Sequence, residues 1–80
     1  MVQSKSVRVR LIELLSHQKY NEYLSLPLIY HYFDANDDYI KQAHIRGVLN
    51  RHIIKTFRRS QIGKGRYQLS AQGWTIFWKM

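Results

Sequence analysis

The hydrophobic and polar positions of the chain fall into short runs whose period changes along its length. Val7, Leu11, Leu14 and Leu15 recur at the spacing of one apolar helix face, so a first helix is expected over 5–17. Ser4 or Ser6 can cap it. The polar stretch HQKYNEY (17–23) then breaks the pattern. Ser25-Leu26-Pro27 reads as a helix start, with Ser25 as N-cap and proline in the first turn, where its missing N–H costs nothing. A second helix is expected over 26–33, burying Ile29, Tyr30 and Phe33, and the acidic stretch DANDD (34–38) marks its end.

The same acidic stretch opens a third helix, expected over 37–52. Asn36 or Asp37 can cap it, and Asp37 and Asp38 lie favourably against the positive end of the helix dipole. At about 100° per residue, Ile40, Ile45, Val48 and Leu49 are assigned to one side, with His44 and His52 among them. Tyr39, Gln42, Ala43, Arg46 and Asn50 take the other side, which is polar, small and cationic but not acidic. Residues 53–59 are rich in β-branched and aromatic side chains, and SQIGKG (60–65) reads as a turn. RYQLS (66–70) alternates, placing Tyr67 and Leu69 on one face, so 53–69 is expected to be a two-stranded hairpin. Ser70 can cap a last element over 70–79. Trp74, Phe77 and Trp78 have helical spacing, while Trp74, Ile76 and Trp78 alternate equally well; a helix is favoured and a strand stays open. The expected fold class is mainly α with a small β-hairpin (α+β), one domain over 1–80.

Three helices followed by a basic, glycine-bearing hairpin is the order of a winged helix-turn-helix. The stretch from Ile45 to Trp74 resembles the recognition-helix-to-wing segment of bacterial and phage winged-helix regulators. Gly65-Arg66-Tyr67-Gln68-Leu69-Ser70-Ala71-Gln72-Gly73 is similar to the phrase that closes the wing in that family. One position departs from it: a glycine often ends the recognition helix there, and this chain has His52-Ile53-Ile54. The resemblance implies a small DNA-binding transcriptional regulator, of phage or mobile-element type given its brevity, and not an enzyme.

Charge sharpens this picture through its distribution. The net charge is +8, yet all five acids lie in residues 1–38, and 39–80 hold nine of the thirteen Lys and Arg residues with no acid. A segment so one-sided repels itself when folded, which points to a polyanionic partner, duplex DNA first. The bland alternative, charge that only aids solubility, does not explain the missing acids. In the third helix, Arg46 is expected to read guanine and Gln42 adenine in the major groove, with Ala43 and Gly47 allowing close approach. Tyr39 and Asn50 are expected on phosphates, flanked by Lys41 and Arg51. In the hairpin, Lys55, Arg58, Arg59, Lys64 and Arg66, with Ser60 and Gln61 at the turn, are expected to grip the backbone.

Other chemistry is poorly supported. There is no cysteine, and the four histidines have no neighbouring ligands at metal-binding spacing; no cofactor, metal or small-molecule effector is expected. No apolar run approaches the roughly 20 residues of a membrane span, and the N-terminus lacks the apolar core of a signal peptide, so a cytoplasmic location away from the membrane is expected. Trp74, Phe77, Trp78, Tyr20, Tyr23, Tyr30 and Tyr32 are numerous for a small core, so an exposed patch on the C-terminal element and first helix, and a homodimer, are expected. Three other functions stay open: an accessory factor in replication, partition or recombination using the same surface; a winged helix devoted to protein–protein contact, such as an inhibitor of a nucleic-acid enzyme; and, less favoured, single-stranded or RNA binding with Tyr39 and Tyr67 stacking on bases.

Overall fold

A computed structural model describes residues 5–19 and 22–80; Ser4 and Tyr20, named above, lie outside the described residues. The elements run α1 (Val7–Leu15), β1 (Leu24–Ser25), α2 (Leu26–Tyr32), α3 (Tyr39–Arg51), β2 (Phe57–Arg59), β3 (Arg66–Leu69) and α4 (Ala71–Lys79). The described residues therefore form an α+β fold of four helices and a three-stranded antiparallel sheet, ordered β1-β3-β2.

The helices start where their caps dictate. Ser6 Oγ accepts from the Val9 amide at 3.2 Å, and Ser70 Oγ accepts from the Gly73 amide at 3.0 Å. Ser25 occupies the N-cap of α2 without a side-chain bond, beside Pro27 in the first turn. The cap of α3 is neither Asn36 nor Asp37 but Asp38, whose Oδ1 accepts from the Ile40 and Lys41 amides at 3.1 Å each. That cap moves the helix start from the expected 37 to Tyr39. The last element is helical, as Ser70 and the Trp74, Phe77, Trp78 spacing favoured.

The core collects Leu11, Ile12 and Leu15 from α1, Ile29 from α2, Ile45, Val48 and Leu49 from α3, and Phe57, Tyr67 and Leu69 from the sheet. Ile40 is a correction: it is 83% exposed, and His44 is exposed as well. At 100° per residue the buried trio of α3 centres about 130° from Ile40, so Ile40 lies at the margin and not on the apolar face.

The sheet also differs from the two-stranded hairpin expected. β1 supplies a third strand, with Leu24 opposite Tyr67 and Ser25 opposite Arg66. A two-residue strand has no period of its own, and only its partner defines it. β2 is shorter than residues 53–59 suggested, because the Thr56 and Phe57 amides both donate to the His52 carbonyl and hold that segment in a turn. Within the turn Ile54 has φ 73°, a left-handed conformation that a β-branched residue rarely adopts. It falls in the His52-Ile53-Ile54 run where the resemblance had called for glycine.

β3 leads directly into α4. The Ser70 amide donates to the Thr56 carbonyl at 3.0 Å, and Gly73 packs so close that an added Cβ would run into that same carbonyl oxygen. Trp74, Ile76 and Phe77 are half-buried against the core, whereas Trp78 is 76% exposed. No helix among the described residues is long and apolar enough to cross a membrane.

Two stability changes of opposite sign are expected. Gly73→Ala should lower stability by roughly 1–3 kcal/mol, since a backbone carbonyl cannot swing aside as a side chain can. Ile54→Gly should raise it by about 1 kcal/mol, because glycine adopts positive φ without the Cβ penalty and the exposed isoleucine gives up little burial. Urea unfolding midpoints of the two variants check both; an unchanged midpoint for Gly73→Ala would contradict the close packing of α4.

Candidate nucleic-acid interface

The residues singled out on α3 are presented in three different ways. Tyr39, Lys41, Ala43, Asn50 and Arg51 are exposed, with Tyr39 in the first turn. Gln42 is the main correction among them. Its amide nitrogen donates to the Ala35 carbonyl at 2.8 Å and to the Asn36 carbonyl at 2.9 Å, so the side chain clasps the turn between α2 and α3. Both amide protons are engaged there, and the adenine contact expected of it, which needs one of them, would have to release at least one of these bonds. Sequence spacing could not reveal this, because the clasp depends on Asp34 turning the chain with φ 54° and on Ala35 being buried beside it.

Arg46 is presented in the third way. It is exposed, and its Nη1 donates to the Tyr30 hydroxyl at 2.9 Å. One donor is used and the others remain for an incoming acceptor. Gly47, one residue on, has open space where a side chain would stand, so a partner can approach the backbone.

The hairpin residues gather separately. Arg58 and Arg59 extend from β2, and the turn at 60–65 is closed by the Ser60 amide donating to the Arg66 carbonyl at 2.9 Å. Ser60 Oγ accepts from the Ile62 and Gly63 amides, so its hydroxyl shapes the turn and holds the tip, where Ile62 is fully exposed. Arg66 lies with its side chain close to the Gly63 backbone. Arg58, Arg59, Ser60, Gln61 and Lys64 line one open groove whose apolar floor includes Leu26, Ile53 and Phe57.

The α3 and hairpin sets meet at Tyr67. Its phenol is buried, which pushes its pKa up; Arg59 opposes the shift, Tyr30 adds to it and Arg46 opposes it again. Arg59 is the strand partner of Tyr67, and Arg46 is bonded to Tyr30. Arg51 and Lys55 instead surround His52, whose pKa is lowered first by burial and then by Arg8, Arg51 and Lys55. His52 therefore stays neutral at pH 7 and adds nothing to the charge of this face. Lys41 belongs to neither group: it lines a groove towards α1 with Val7, Arg10, Phe33 and His44.

Three contributors were missed by sequence reasoning. Arg8 reaches the end of α3, donating weakly to Thr56 Oγ1 at 3.4 Å, and Arg10 stacks over the Phe33 ring at 4.4 Å. Both sit in residues 1–38, where acids outnumber Lys and Arg by five to four, and the fold carries their charge to the side of α3. Tyr30 is expected in the core and among the surplus aromatics, with no role at α3. Its helix position predicts half-burial but nothing about a hydroxyl meeting α3.

Charge pairing completes the site. Among the described residues the one ion pair is Lys5–Glu13 at 2.8 Å, on and beside α1. Every cation of α3 and the hairpin is exposed, and the hydrogen bond their side chains make among the described residues joins Arg46 to the neutral Tyr30 hydroxyl. No protein-family model, curated protein or solved structure matches this chain.

Removing the clasp should be felt in folding. Gln42→Ala is expected to cost about 1 kcal/mol of stability, the usual worth of such bonds net of solvation. Chemical denaturation measures it, and an unaltered midpoint would mean that the two carbonyl bonds do not hold the turn.

Proposed function

We propose that this protein is a winged helix-turn-helix module that binds duplex DNA in a sequence-preferring way, as a small transcriptional regulator does. The element order α1-β1-α2-α3-β2-β3 and the β1-β3-β2 sheet are compatible with that fold. In this reading α3 enters the major groove with Arg46 on base edges, and the β2–β3 hairpin is the wing that lies on the sugar–phosphate backbone. Tyr39, Asn50, Lys41 and Arg51 flank the groove on phosphates, and Arg58, Arg59, Lys64 and Arg66 act from the wing.

The observation that carries the reading is electrostatic. Among the described residues the exposed cations of α3 and the hairpin have no carboxylate partner, while the ion pair lies on the α1 side. A solvated face kept only for solubility would normally intersperse both signs, whereas a face shaped for a polyanion leaves its cations uncompensated. The neutral clasp and turn bonds of Gln42 and Ser60 favour the same reading, since they fix backbone without consuming charge.

A homodimer is part of the proposal. Trp78 is exposed and stacks on Trp74, and with Phe77, Met80 and Val9 it borders an open apolar surface between α4 and α1. Lys5 and Glu13, paired with one another at 2.8 Å, line the same surface.

Selection from a random duplex library, with affinities measured across salt concentrations and the solution mass determined in parallel, tests the whole. Arg46→Ala should lose about 1–3 kcal/mol on the selected duplex and little on random duplex. Arg58→Ala and Lys64→Ala should weaken both duplexes alike and lower the salt slope by about 1 each. Equal losses for Arg46→Ala on both duplexes would remove α3 from base reading, and no binding to any duplex at low salt would defeat the function itself.

A further inference from the structure

Arg46 is the one candidate base reader on α3 whose donors are still free, because the Gln42 amide is spent on the Ala35 and Asn36 carbonyls. An exposed arginine is ordinarily spread over many rotamers, and ordering it on contact with a partner costs conformational entropy. Arg46 is already tethered. Its Nη1 donates to the Tyr30 hydroxyl at 2.9 Å, across the α2–α3 interface.

The chemistry of that tether matters. A carboxylate in the place of Tyr30 would neutralise the guanidinium and occupy its bidentate edge. A phenol accepts one hydrogen bond, leaves the positive charge intact and keeps the remaining N–H groups available. Tyr30 is also a stiff post: it is half-buried, packs against the core from α2, and its backbone carbonyl is fixed by the Ala35 amide at 2.8 Å.

We infer that Tyr30 is a positioning residue for Arg46, holding its guanidinium in the orientation that discriminates among DNA sequences while contributing little to general duplex affinity. The inference rests on the duplex-binding reading above and narrows it to one hydroxyl. It separates two properties usually lost together. Cations of the hairpin act through charge and salt, whereas Tyr30 acts through geometry alone.

The test uses the full chain, a duplex selected by the wild-type protein from a random library, and a random-sequence duplex of equal length. Tyr30→Phe removes only the hydroxyl and keeps the ring in the core. It should weaken binding to the selected duplex by about 5-fold, the worth of one hydrogen bond, and leave the random duplex and the salt slope unchanged. In an Arg46→Ala background the same substitution should cause no further loss, because the group it orients is gone. Equal weakening on both duplexes, full additivity with Arg46→Ala, or no change on the selected duplex would each overturn the positioning role while leaving DNA binding intact. A wild-type protein that enriches no duplex sequence would overturn the functional reading and this inference with it. Arg46→Lys, which keeps the charge but not the planar fork, should lose preference yet retain affinity for random duplex, and thermal unfolding of each variant separates binding loss from misfolding.

Discussion

The arrangement depends on β3 being the central strand of the sheet. Tyr67, Gln68 and Leu69 are all buried, and the strand pairs with β1 on one side and β2 on the other. The Leu26 amide donates to the Gly65 carbonyl at 2.8 Å, which ties the start of α2 to the hairpin turn, and Gly65 takes φ 70° there. At the far end, Ser70 and Gly73 seat α4 on the Thr56 carbonyl. One strand thus fixes the hairpin against α2, the helix that carries Tyr30, and α4 against the turn that ends α3. A hairpin held only by its own two strands would be marginal in water, and the third strand removes that weakness.

From this frame the charge distribution gains a geometry. Cations on α3 and the hairpin are held by uncharged acceptors or left in solvent, so the self-repulsion of the face is not relieved internally. Such a surface is less stable alone than with a polyanion against it. The strained Ile54 lies between the two cationic sets, at the point where α3 gives way to β2. Strain of this kind persists only where surrounding structure imposes it, here the paired bonds to the His52 carbonyl and the Ile54 amide donating to the Phe57 carbonyl. A glycine would relieve the conformation, so the cost of keeping isoleucine is local and visible.

Much of the local structure was legible in advance because it depends on nearest neighbours. Ser6 and Ser70 as caps, Pro27 in the first turn of α2 and the helical spacing of Trp74, Phe77 and Trp78 all involve groups within one turn of each other. The confinement of acids to residues 1–38 is likewise a property of the chain alone. The errors have a common cause. Ile40 was assigned by period to a face that the core does not reach, and Gln42 was assigned by type to a base it has no free protons to meet. Arg8 and Arg10 lie in the acidic half of the chain, and only folding brings them beside α3.

The sequence by itself determined the first three helices, the basic hairpin and the segregation of charge, because capping, periodicity and composition act over a few residues; it left the last element open between helix and strand. Tertiary structure decided what lies far apart in the chain: the pairing of Leu24–Ser25 with β3, the clasp of Gln42 on the preceding turn, and the bond from Arg46 to Tyr30. Each of these requires two segments to be held at hydrogen-bonding distance. Only a packed core and a continuous sheet supply that constraint.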